Sequence, residues 1–147
     1  MIELSTRLKE LISLLDQEIQ IYLDNGEAMD VDALLECQDK LSGYSWTLTE
    51  LCAEFKRDYN FKYFTRKIMV NESAQAITNK PVKIAMNKAV LSAEVKHKYE
   101  LENEIEAESY AYEADLRLKQ LNRILSSVQQ RISHAKRLWE MNKYQNQ

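Results

Sequence analysis

The sequence predicts an all-α protein: an elongated helical hairpin or bundle with a long coiled-coil-like C-terminal helix. Three observations predict it. Gly occurs twice and Pro once in 147 residues, against usual shares of about 7% and 5%. Turn-rich β-sandwiches, β-barrels and Gly-rich nucleotide folds need far more of both. Apolar residues recur at spacings of three and four over long stretches, the period of a helix face. Hydrophobic residues make up 45% of the chain and charged ones 29%, a balance of ordered chains and not of disordered ones. Residues 1–147 therefore read as one helical domain, with helices over roughly 2–24, 30–70 and 80–144.

In the first helix, Leu4, Leu8, Leu11, Leu15 and Tyr22 form a stripe that Ile12 and Ile19 widen. Asn25–Gly26 is expected to stop it, because both residues tolerate the left-handed conformation that follows a helix. The second helix opens at Asp30, a favoured N-cap, with Met29 and Leu34 as a hydrophobic staple. Val31, Leu34, Leu41, Leu48, Cys52, Phe55 and Tyr59 carry it on to about Val70. Gly43 inside this run costs about 1 kcal/mol relative to Ala and is expected to mark a close crossing or a slight bend. The polar stretch 71–79 reads as a connection, and Lys80–Pro81 as the next helix start, where Pro is tolerated.

The third helix holds the most regular pattern. Ala107, Ala111, Ala114, Leu118, Leu121, Leu125, Val128, Ile132, Ala135 and Trp139 alternate steps of four and three, the signature of a coiled-coil seam. Shorter helices are not expected to cover so long a stripe. Leu118, Leu121, Leu125, Val128, Ile132 and Trp139 are therefore expected to recruit further copies into a homo-oligomer.

The net charge of −3 hides a block pattern. Residues 1–55 carry 12 acids and 3 bases, 56–98 carry 10 bases and 3 acids, 99–115 carry 7 acids, and 116–147 carry 7 bases and 1 acid. A hairpin turning near residue 75 would set residue i beside 150 − i. Like charges would then stack, leaving a positive tip able to attract a polyanion.

Several chemistries leave no trace in the sequence. No phosphate-loop, dinucleotide or HExxH pattern is present, and no catalytic residue, metal or cofactor is expected. His97 and His134 read as surface residues. Cys37 and Cys52 read as buried, reduced thiols too far apart on one helix to bridge. No stretch suggests a membrane span or signal peptide, so a cytoplasmic chain is expected.

The run Phe55-Lys56-Arg57-Asp58-Tyr59-Asn60-Phe61-Lys62-Tyr63-Phe64-Thr65-Arg66-Lys67 interleaves five bases with five aromatics. Cations neutralise phosphates, and aromatic faces stack unpaired bases. That combination holds single-stranded nucleic acid. The candidate contacts are Lys56, Arg57, Tyr59, Lys62, Tyr63, Arg66 and Lys67, joined at the expected hairpin tip by Lys80, Lys83 and Lys88. Lys56, Tyr59, Tyr63 and Arg66 share one helix face. The plain alternative is an amphipathic helix whose aromatics pack and whose bases solubilise.

The layout over residues 44–139 resembles the UvsY-like recombination mediators of phages. It rests on FKRDYNFKYF at 55–64, a polar connection, KAVLSAEVKHKYE at 88–100 with AVLSA as its best local match, and ILSSVQQRISHAKRLW at 124–139. The resemblance implies a small helical protein that binds single-stranded DNA, contacts a recombinase and a single-strand-binding protein, and assembles into a ring in the host cytoplasm. It would place DNA contacts on Lys56, Arg57, Lys62, Arg66 and Lys67. The acidic first 55 residues depart from the family pattern and suggest a protein-contact element. The competing expectation is a helical scaffold, or an inhibitor of a host system, with no nucleic-acid role.

Overall fold

The computed structural model describes residues 2–79 and 85–146. Its elements are α1 (Ile2–Asn25), a 3-10 turn (Gly26–Ala28), α2 (Val31–Thr78), α3 (Met86–Lys96) and α4 (Lys98–Gln145). No strand occurs among the described residues. The chain is all-α, and its long C-terminal helix packs against the others. Two compact units are formed, one from Met1–Cys52 with Glu113–Gln147 and the other from Ala53–Tyr112. Both α2 and α4 contribute residues to each unit.

In the first unit the buried positions repeat every seven residues. Leu8, Leu15 and Tyr22 of α1, Leu34, Leu41 and Leu48 of α2, and Ala114, Leu121 and Val128 of α4 are all buried. A sustained seven-residue repeat keeps one stripe of each helix on a common axis, as in coiled coils. Cross-helix contacts give the directions. Asp16 pairs with Arg117 at 3.2 Å, and Tyr22 Oη lies 2.7 Å from Ser127 Oγ. Both numbers rise together, so α1 and α4 run parallel. Glu18 and Lys40 meet at 3.8 Å across the antiparallel α1–α2 pair.

The residues of the expected oligomer seam differ in exposure. Leu121, Val128 and Ile132 are buried by the chain itself, while Leu118 and Leu125 are half-buried. Helices of one chain suffice because each supplies a matching heptad stripe. Of the six seam residues, Trp139 alone is largely exposed, at 63%.

The turn after α1 works differently from the expectation. No described residue has a positive φ, so the helix does not stop through a left-handed residue. It tightens into the 3-10 turn, and Gly26 is buried against Tyr22. A Cβ there would sit 2.9 Å from the Tyr22 ring, so Gly serves close approach. Asp30 caps α2 as expected, accepting a hydrogen bond from Ala33 N–H at 2.8 Å. Gly43 marks no crossing, because a Cβ there meets nothing within 4 Å.

In the second unit α2 continues past Val70 to Thr78. Val70, Ala74 and Ile77 extend its apolar stripe, and Ala89, Val90 and Ala93 of α3 cover it. The AVLSA segment thus supplies a close helix crossing: two of its alanines are fully buried, while Leu91 and Ser92 point outward. The expected single third helix is interrupted at His97, whose φ of −100° and ψ of 30° depart from helical values. His97 is held by Ser73, whose Oγ lies 2.7 Å from Nε2, and its side chain is only 11% exposed. It is therefore no surface histidine, whereas His134 is exposed as expected. Lys80, Lys83 and the Pro81 helix start lie outside the described residues.

Two stability predictions follow from these sites. Gly43→Ala removes backbone entropy from the unfolded chain and meets open space, so it should raise the urea-unfolding free energy by about 0.5–1 kcal/mol. Ala93→Leu adds bulk where two alanine-lined helices cross and should lower it by about 1–3 kcal/mol.

Candidate nucleic-acid interface

The basic and aromatic run lies on α2 within the second unit. Its surroundings are set by the antiparallel register of α2 against α4. Arg66 pairs with Glu104 and Ser73 with His97, so residue i lies beside about 170 − i. The expected register was 150 − i. The shift places the basic run beside the acidic start of α4, and opposite charges meet. The second unit holds 10 basic and 9 acidic residues, and around Arg66 the expected stacking of like charges gives way to pairing of opposite ones; Lys80 and Lys83 of the expected tip lie outside the described residues.

The face shared by Tyr59, Tyr63 and Arg66 turns inward. Arg66 and Glu104 side chains are only 11% and 8% exposed. Arg66 donates to both carboxylate oxygens, through Nε to Oε2 and through Nη2 to Oε1 at 3.4 Å. This hydrogen bond raises the guanidinium pKa, while desolvation lowers it. Tyr59 is half-buried. Desolvation first, then the carboxylates of Glu108 and Glu104, push its phenol pKa up. Phe55 is fully buried and stacks on Tyr110 with ring centroids 5.7 Å apart. Tyr63 meets Phe64 edge-on at 5.3 Å, with Arg66 and Lys67 within 6 Å of its ring. Lys62 pairs with Asp58 at 3.1 Å.

Of the candidate contacts, Arg66 thus lies in an ion pair within the unit, and Tyr59 and Tyr63 are half-buried. The physical reason is the register, which sets α4 against this face. Lys56, Arg57, Lys67 and Lys88 remain on the surface.

The outward face of α2 carries a different set. Arg57, Phe61, Phe64 and Ile68 follow at steps of four, three and four, so they share one face. Phe61 is 70% exposed and Phe64 62%. Asn60 and Lys67 flank them and are also exposed. Between Asp58 and Glu72 the helix has no acidic residue. A surface this aromatic, with cations at its edge and no acid along it, can stack unpaired bases and neutralise their phosphates. The sequence reading passed over Phe61 and Phe64. Their spacing to Arg57 and the acid-free run were the signals available.

Beside Phe61 a small cavity of about 100 Å³ opens between α2 and α4. Phe61, Lys62, Thr65 and Arg66 line one wall, Glu100 and Asn103 the other. Among the described residues no three His, Cys, Asp or Glu side chains gather as a metal site would. No described helix is long and apolar enough to cross a membrane.

The Arg66–Glu104 pair generates a stability prediction. Removing either partner strands a buried charge, so Arg66→Ala or Glu104→Ala should cost about 3–5 kcal/mol of unfolding free energy in urea. The double replacement Arg66→Met with Glu104→Leu should recover most of it. Comparison with protein-family models, curated proteins and solved structures finds no match to this chain.

Proposed function

We propose that the chain is a single-stranded DNA-binding recombination mediator of the kind its sequence resembles. The observation that supports this most is the outward face of α2, where Phe61 and Phe64 lie bare between Arg57 and Lys67. Two large aromatics at 70% and 62% exposure are costly to leave in water, and a nucleic-acid strand would cover them. Bases would stack on the rings while Arg57 and Lys67 meet the backbone. Lys56 and Lys88 are further surface cations of this unit. In this reading the partners are single-stranded DNA, a recombinase and a single-strand-binding protein, and the setting is the cytoplasm of a phage host.

Assembly into a homo-oligomer is part of the proposal. Leu138, Trp139, Met141 and Tyr144 at the end of α4 are exposed apolar residues that a neighbouring copy would cover, and a ring is the form the resemblance favours. Several subunits would let a modest cationic face hold DNA firmly.

A second reading has its own observation. Leu91, Val95 and Tyr99 are exposed at steps of four on α3 and the start of α4, and Ile68 lies among the α2 aromatics. Such a surface also suits a helical scaffold that binds only protein.

Binding of a labelled single strand over a salt series separates the two. The mediator reading expects binding that weakens with salt, with a slope of roughly −0.7 per phosphate contact. Phe61→Ala with Phe64→Ala should weaken it by about 1–3 kcal/mol per stacked base with helix content unchanged. Absence of binding by the folded protein at low salt would leave the scaffold reading.

A further inference from the structure

We propose that the cavity between α2 and α4 beside Phe61 is a niche for a single nucleobase, and that Glu100 makes it select bases carrying an exocyclic amino group. The inference rests on the single-stranded DNA reading and adds a chemical preference to it.

The cavity wall is unlike the rest of the α2 surface. Phe61 supplies an aromatic side continuous with the outward face. Thr65, Asn103 and Glu100 also line it, and their polar groups are a hydroxyl, an amide that donates and accepts, and a carboxylate that only accepts. Glu100 keeps 32% of its side-chain surface open. Its other neighbour, His97 Nδ1, is 3.7 Å away, longer than a normal hydrogen bond. The cations on the rim are already matched, Lys62 by Asp58 and Arg66 by Glu104. A phosphate would gain little there and would face Glu100. A neutral ring with donors on its edge fits better.

The position is also reachable. A strand stacked on Phe61 and Phe64 passes the mouth of the cavity, and one unstacked base can turn from Phe61 towards α4. Cytosine would present its N4 amino group to the Glu100 carboxylate, a recognised pairing of donor and acceptor. Thymine carries a carbonyl oxygen at that place. Two acceptors would then face each other and leave the carboxylate unpaired.

Fluorescence anisotropy with labelled oligo(dC) and oligo(dT) of equal length, at one pH near neutrality and one salt concentration, tests this. Both are pyrimidine strands that stack weakly, so the amino group is the relevant difference. The wild-type protein should bind oligo(dC) roughly tenfold more tightly, the effect of one specific base contact. Glu100→Gln, which can both donate and accept, should bring the two affinities together and leave oligo(dT) binding intact or improved. Equal wild-type affinities would overturn the niche while leaving the DNA-binding reading standing. A preference that persists in a folded Glu100→Gln protein would overturn the role of Glu100. Failure to bind either strand would overturn both proposals.

Discussion

Arg66 and Glu104 meet in the interior of the second unit, and that meeting sets what the unit shows to solvent. A buried ion pair of this kind gives little net stability over an apolar pair, but breaking one partner is expensive. It therefore acts chiefly as a register lock. Ser73 with His97 keeps the same alignment, and Phe55 stacks on Tyr110 further along the same pair of helices. Slide α4 by one helical turn and Glu104 leaves Arg66, while the buried alanines of α4 leave their positions. The lock fixes Tyr59, Tyr63 and Arg66 inward, and by helix geometry it leaves Arg57, Phe61, Phe64 and Ile68 outward.

The same constraint decides how much charge stays at the surface. A chain with blocks of twelve acids and ten bases could have built a strongly polar molecule. Instead the blocks interleave: Arg66 with Glu104 in one unit, Asp16 with Arg117 in the other. What remains for a polyanion is narrow, a line of surface cations beside two bare aromatic rings. Under the mediator reading, affinity would come from stacking and from repetition across subunits more than from a broad positive field.

Much of the fold was legible in the sequence because it rests on local periodicity. The steps of three and four from Ala107 to Ile132 and the heptads Leu8–Leu15–Tyr22 and Leu34–Leu41–Leu48 become buried stripes. The Asp30 cap behaves as its residue type dictates. Other features depended on tertiary neighbours. Residues 71–78 look polar in isolation, and only the alanines of α3 give Val70, Ala74 and Ile77 something to cover. No Gly or Pro marks the break at His97, which coincides with a hydrogen bond between His97 and a distant serine. The hairpin register was not legible at all, because no local signal says how far α2 continues. That gap bears on the aromatic run. The run was legible as basic and aromatic, but which of its residues face α4 and which face solvent was not: Tyr59 and Arg66 are half-buried or paired within the unit, while Phe61 and Phe64 are exposed.

The central claim is that single-stranded DNA lies on the outward face of α2 while the inward face holds the fold. Photo-cross-linking to a single strand carrying halogenated uracil, followed by mass spectrometry of the adducts, tests it most directly. Halogenated uracils couple to aromatic side chains they touch. The account predicts adducts on Phe61 and Phe64, lost on competition with unlabelled strand and at high salt. Adducts concentrated on Tyr59 and Tyr63, or on Trp139 at the far end of α4, would contradict it.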